Sequence, residues 1–288
     1  MSAARMASLT RSFESMFEFL GEIGGCVRFV LKNVDIFFRK GVSRHEVFLQ
    51  IWKVTLQSLP TTMMAGFFVG AIMTVQFAMQ VEAYGAMGFL GGLSTSATIR
   101  QVGPLLIAFM LSGKVGAFTT AELGTMRVTE QIDAIRCLGA DPYQELILPR
   151  MIAIIVSSFA LLTAGLLMSI FGGVLLAMLF AGINADEYLR HIPTIVKFPS
   201  VATGVFKCLI YALLLSAICT YKGFTADGGA KGVGRAVVQT AVATMVTLVV
   251  ADWATSLVSE SLLTMLLSFL SEMSQLTESV KAGAVKGL

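Results

Sequence analysis

The residues with chemistry in this chain are charges standing where charge is expensive. Lys207 and Asp252 each interrupt a long apolar stretch, Lys114 interrupts another, and Arg100 stands at the edge of that same stretch. An ionisable side chain held in hydrocarbon marks a pathway or a binding site by default, and otherwise needs a partner to neutralise it. A lysine, an arginine and a carboxylate together suit two kinds of work: holding an anionic group, or relaying a proton. A pair that only fixes helix register is the bland alternative. Other chemistries have weaker footing. The four cysteines (Cys26, Cys137, Cys208, Cys219) show no CxxC or Cys/His metal spacing and read as small apolar fillers. The two histidines, His45 and His191, are far apart. Gly113-Lys114 and Gly229-Ala230-Lys231-Gly232 lack both the spacing of a nucleotide-binding P-loop and its Ser/Thr after Lys. No cofactor or catalytic residue is expected on this chain, and any ATP it uses is bound elsewhere.

The elements that carry these charges are set by composition. Mean hydropathy is +0.79, and only 14% of the 288 residues are charged, against about 25% in soluble domains. The chain reads as an all-α membrane protein with five transmembrane helices, an N-terminal interfacial helix and a cytoplasmic coupling helix. Residues 54–81 and 151–185 hold no charge, and each exceeds the roughly 20 residues a bilayer requires. Further spans are expected over about 101–121, 201–221 and 236–259. Pro60 should bend the first span, and Gly66/Gly70 and Gly113/Gly116 permit close helix approach. The regions divide as 1–53 (cytoplasmic or interfacial), 54–270 (the five-span domain) and 271–288 (tail). Segment 12–40 is apolar-rich but carries Glu14, Glu18, Glu22, Arg28, Lys32 and Asp35. It reads either as an interfacial helix bent at Gly24-Gly25 or as an amphipathic helix packed on the bundle.

Lysine and arginine counts orient the bundle. Residues 1–53 carry eight, and the 122–150 and 222–235 loops three each, whereas the alternate loops and the C-terminal tail together carry five. The N-terminus and the first set of loops are therefore assigned to the cytoplasm, and the C-terminus to the outside. At 1.5 Å per helical residue, Lys207 lies roughly 21 Å and Asp252 roughly 24 Å from the cytoplasmic ends of their spans. Both fall in the outer half of the membrane, with Arg100 at the outer mouth of span two. Lys114 lies about 10 Å from the inner end, within snorkelling reach of the cytoplasm.

Two patterned stretches complete the set. Between two apolar blocks, the run from Glu122 to Arg136 alternates Glu122, Arg127, Glu130 and Asp133 with Leu123, Met126, Ile132 and Ile135 at helical spacing. Gly139 and Asp141-Pro142 stop the helix. This is either a handle for a soluble partner, with Glu122, Arg127 and Glu130 as its charges, or a solvated loop helix. At the outer end of span one, Met73, Phe77, Val81 and Tyr84 follow helical spacing. Such a stripe serves packing or, beside a charged cluster, a ligand with acyl chains and an anionic headgroup.

The run GPLLIAFMLSGKVGAFTTAELGTMRVTEQIDAIRCLGADPYQELILPR resembles the signature of the MlaE/YrbE permease family. Val75-Gln76, the YKGF at 221–224, the GGAKGVG at 228–234 and Asp252 followed by an aromatic residue add to the likeness, which spans about residues 40–260. The resemblance implies the membrane subunit of an ABC transporter that passes phospholipid between the bacterial inner membrane and a periplasmic MCE-domain protein. It further implies a homodimer, a cytoplasmic ATPase docked on the 122–139 coupling helix, often a STAS-domain protein, and an outward-facing lipid cavity between subunits. Met73, Phe77, Val81, Tyr84, Arg100, Lys207 and Asp252 are then the expected lipid-binding residues. Glu122, Arg127 and Glu130 are the expected coupling residues. The rival readings are an ion-coupled secondary transporter using Lys207 and Asp252 as a relay, and a non-transporting membrane anchor for a ring or an ATPase. A secondary transporter needs no docking helix, and five spans do not divide into inverted halves.

Overall fold

In a computed structural model the backbone is described for residues 3–286, and the side chains for residues 21–39, 41–259 and 261. Five helices are long and apolar enough to span a membrane: Arg44–Glu82, Met87–Val128, Tyr143–Ala181, Phe198–Phe224 and Gly229–Ser259. They are called spans one to five below. The N-terminal helix, Ala3–Lys40, precedes them. The fifth helix runs on beyond the membrane segment as far as Lys286, and the side-chain environment of the expected tail, 271–288, lies outside the described residues.

Each span outruns its apolar stretch for a local reason. Span one begins at Arg44, after Ser43 in extended conformation, with Glu46 in its first turn, where a carboxylate suits the helix dipole. Span two starts at Met87 rather than near Gln101. Its added turns are rich in Gly, Ser and Thr, which hides them from a hydropathy scan. They are held by Tyr188, whose hydroxyl bonds Ser94 Oγ at 2.8 Å and Thr74 Oγ1 at 3.2 Å. Gly182 (φ 66°) ends span three, and Gly228 and Gly229 (φ 89° and 68°) turn the chain into span five. Two π-helical turns interrupt span two, at Thr98–Val102 and Ser112–Gly116. Arg100 and Lys114 stand on them, in keeping with the tendency of such turns to occur at functional sites.

Spans one and three pack in parallel without side chains between them. A Cβ at Gly66 would collide with the carbonyl of Gly165, and one at Gly70 with that of Ser169. Small residues let the backbones meet, as membrane helices require when no hydrophobic force drives them together. The other expected pair behaves differently: Gly116 faces Leu215, while Gly113 has open space. Pro60 leaves span one unbroken. It removes one ladder bond and loosens the turn before it, and Lys114 donates to the freed region at the Gln57 carbonyl and to Thr61 Oγ1 at 3.1 Å.

Neither does the Gly24-Gly25 pair break the N-terminal helix. Gly25 instead makes room for the Tyr221 ring, which a Cβ there would strike. Phe29 is buried against Tyr143, Tyr221 and Phe224, with centroids 5.7–5.8 Å apart. Lys32 lies 3.7 Å over the Tyr143 ring, a cation–π contact. The helix is thus packed on the bundle along one face, while Val27, Leu31 and Phe38 stay exposed on another.

Candidate functional site: a buried charge cluster and an inter-span helix pair

Spans four and five bring together the two charges that depth placed at one level. Lys207 Nζ donates to Asp252 Oδ1 at 2.7 Å and to Ser256 Oγ at 2.8 Å, and Tyr211 Oη donates to the same Asp252 oxygen at 2.6 Å. Lys207 and Tyr211 form an i,i+4 pair on span four, and Asp252 and Ser256 form another on span five. Two helical stripes therefore close on each other. Lys207 is 1% exposed, whereas the Asp252 side chain keeps 21% of its surface. The ammonium is sealed and bonded to two acceptors, and the aspartate side chain stays partly open. Arg100 follows Ile99, whose carbonyl lies against Gly204, one helical turn from Lys207. The outer end of span two thus adjoins the cluster's helix.

The span-one stripe does not form one open face. Met73 and Phe77 are half-buried, Val81 is 6% exposed, and Tyr84 is 87% exposed in the turn after the helix. Phe77 packs on a small outer core with Ala78, Leu90, Ala177 and Tyr188. Val81 and Tyr84 accordingly face different surroundings, because the helix ends at Glu82 and Tyr84 leaves its spacing.

Between spans two and three, the expected continuous helix over 122–139 is two helices. Span two stops at Val128, and Gln131–Cys137 follows. Between them Glu130 holds φ 60°, a left-handed conformation that a non-glycine residue adopts at a cost. Arg127 ties the halves together through Asp133 at 3.2 Å, and Arg136 bonds the same carboxylate at 2.8 Å. Gly139 (φ 78°) then ends the unit, and Asp141 Oδ1 accepts from the Tyr143 amide at 3.1 Å. Glu130 points its backbone turn outward and is exposed, as is Leu138 at 86%.

Glu122 lies on the inner side of this unit. It accepts from Lys53 at 3.1 Å and is ion-paired with Arg150 at 3.3 Å, so it joins spans one, two and three. Arg150 is 4% exposed, and its Nε and Nη1 have no partner among the described residues. Sequence reasoning missed Tyr211, Ser256, Arg150 and Leu138. Tyrosine and serine inside a span are too ordinary to single out. Arg150 stands at a boundary where basic residues are expected for topology, and Leu138 lies past the last periodic apolar position.

Residues 47–258 match the model of a family described as Permease MlaE. A probable ABC transporter permease protein of Rickettsia felis is 29% identical over 236 residues, which is 82% of this chain and 91% of the relative. A probable ABC transporter permease protein of Synechocystis is 30% identical over 74% of this chain and 81% of its own length. The chloroplastic protein TRIGALACTOSYLDIACYLGLYCEROL 1 of Arabidopsis thaliana is 30% identical over 71% of this chain and 61% of its own.

Proposed function

Since this chain belongs to the MlaE permease family, we propose that it is the membrane subunit of an ATP-driven transporter whose cargo is phospholipid. ATP is hydrolysed on a separate cytoplasmic chain, and lipid passes between the bacterial inner membrane and a periplasmic MCE-domain partner. A STAS-domain protein is a further component of such an assembly.

The observation that carries the lipid reading is the Lys207–Asp252–Tyr211–Ser256 cluster. Its lysine is buried and its aspartate side chain is partly open, and with the orientation assigned by charge the cluster falls at the depth of the outer leaflet. A cavity formed there by two copies would be apolar along spans one and five, and charged at Arg100, Lys207 and Asp252. That combination fits acyl chains and an anionic headgroup. Of the span-one stripe, Tyr84 is the residue left open to acyl chains, Met73 and Phe77 are half-buried, and Val81 supports them from the packed face. One of the relatives bears the name of a diacylglycerol lipid, which supports the same cargo class. The cytoplasmic handle with exposed Glu130 and Leu138 supports a docked ATPase, and the N-terminus, the handle and the 222–235 loop are cytoplasmic by charge.

The test is reconstitution of the permease and its ATPase in donor liposomes, with fluorescent phospholipid and acceptor MCE protein. Transfer that requires ATP and stops with a hydrolysis-dead ATPase is expected. Transfer driven by an ion gradient without ATP would instead establish the relay reading of Lys207 and Asp252.

A further inference from the structure

On the cytoplasmic side, the N-terminal helix roofs an apolar groove of about 510 Å³ bounded by spans three, four and five. Val30, Ile155, Leu214 and Ile218 are among its walls, with Cys26 on the roof. The volume falls within the roughly 300–1,000 Å³ typical of small-molecule sites. The groove runs into a second, polar crevice of about 190 Å³ that includes Asp227, Arg235 and Gln239. Glu22 and Lys222 line both. They form an ion pair at 2.7 Å, with the lysine side chain 11% exposed and the glutamate 52%. Apolar trough, charged collar and polar crevice thus follow one another in the order of an amphiphile's own parts. Lys222 is fifteen residues beyond Lys207 on span four, a separation of about 22 Å along the helix. The collar is therefore far from the charge cluster, while the trough extends along spans four and five as far as Leu213 and Thr247.

We propose that the groove is a second lipid site, taking an amine-bearing phospholipid from the cytoplasmic leaflet. One acyl chain lies in the trough under the N-terminal helix. The phosphate meets Lys222 and Arg235, and the headgroup ammonium meets Glu22 and Asp227. Two cations and two carboxylates around one crevice complement a zwitterion better than a simple anion. The site rests on the orientation proposed above and is independent of what the outer cavity carries.

Cys26 provides the readout. With Cys137 changed to serine, it is the partly accessible thiol, since Cys208 and Cys219 are buried. The full-length chain in micelles is treated with N-ethylmaleimide near neutral pH over a long time course, because burial pushes the Cys26 thiol upward, despite the nearby Lys222 ammonium, and slows its reaction. Added dioleoyl phosphatidylethanolamine should protect the thiol. At ten times the dissociation constant about one site in eleven stays open, so alkylation should slow about tenfold. Dioleoylglycerol should protect far less, and Lys222→Gln should shift half-protection to higher phospholipid. The titration of the Cys137→Ser chain decides the matter even where Lys222→Gln fails to fold. A Tyr84→Cys reporter in the same titration reads the outer surface, which separates failure of this site from failure of the outer one. Absence of protection would overturn the proposal, as would equal protection by dioleoylglycerol. Protection that tracks protein concentration instead of lipid would mean a second copy fills the groove, and would overturn it too.

Discussion

At the scale of single residues, the pairing of Lys207 with Asp252 was legible because physics leaves a lone intramembrane charge few options. Both residues interrupt apolar runs, and counting helical rise placed them at one depth. Their hydroxyl partners were not legible, since nothing in a string of letters separates Tyr211 from a tyrosine that merely packs. The geometry makes a sharp prediction. Asp252→Asn leaves a fully buried ammonium with neutral acceptors and no countercharge. Breaking a buried pair on one side costs about 3–5 kcal/mol, so the purified variant should unfold at a clearly lower temperature and transport poorly. The double change Lys207→Gln with Asp252→Asn should restore most of the stability, because no charge remains uncompensated. Transport should stay low if the ammonium also serves the headgroup. Losses that simply add in the double-mutant cycle would show the two residues to be uncoupled.

At the scale of elements, the unit between spans two and three divides into parts with different surroundings. Its charge pattern predicted one amphipathic helix, and the break at Thr129–Glu130 was illegible because neither residue is a glycine or proline. Glu122 is on the same run as Glu130, yet it faces inward and ties three spans, whereas Glu130 and Leu138 face out. Two variants should therefore fail in different ways. Leu138→Asp removes an exposed apolar knob whose burial against a partner is worth about 1.5–3 kcal/mol. The permease should fold normally but bind its ATPase about ten- to hundredfold more weakly, as read by titration of the purified components. Glu122→Ala should instead lower the melting temperature of the permease alone, because Arg150 loses its carboxylate in a buried setting. An ATPase affinity untouched by Leu138→Asp, with normal stimulated hydrolysis, would remove this surface as the docking site.

At the scale of the whole molecule, span five is the open side of the bundle. Its inner stripe, Ala236, Thr240, Thr244 and Leu248, is buried, and Asp252 continues it toward Lys207. Its outer stripe, Val238, Val242, Val246, Val249 and Trp253, is 50–66% exposed. Only 11% of its most apolar window is buried, against 39–50% for the other spans. A helix that brings the charge cluster's carboxylate to the surface, yet has the least cover of the five, is the natural seam for a second copy. In a two-fold assembly the seam meets itself, so residues near the axis face their own counterparts. On a background without native cysteines, single cysteines at Val242, Val246 and Val249 should form intermolecular disulfides in native membranes. A cysteine at Phe171, which is exposed on span three, should not. Cross-linking should be strongest at one of the three and fall off along the helix, because two copies cross at a point. A dimer by mass that cross-links at none of these positions would place its seam on another span, and the outer lipid cavity would have to be sought there.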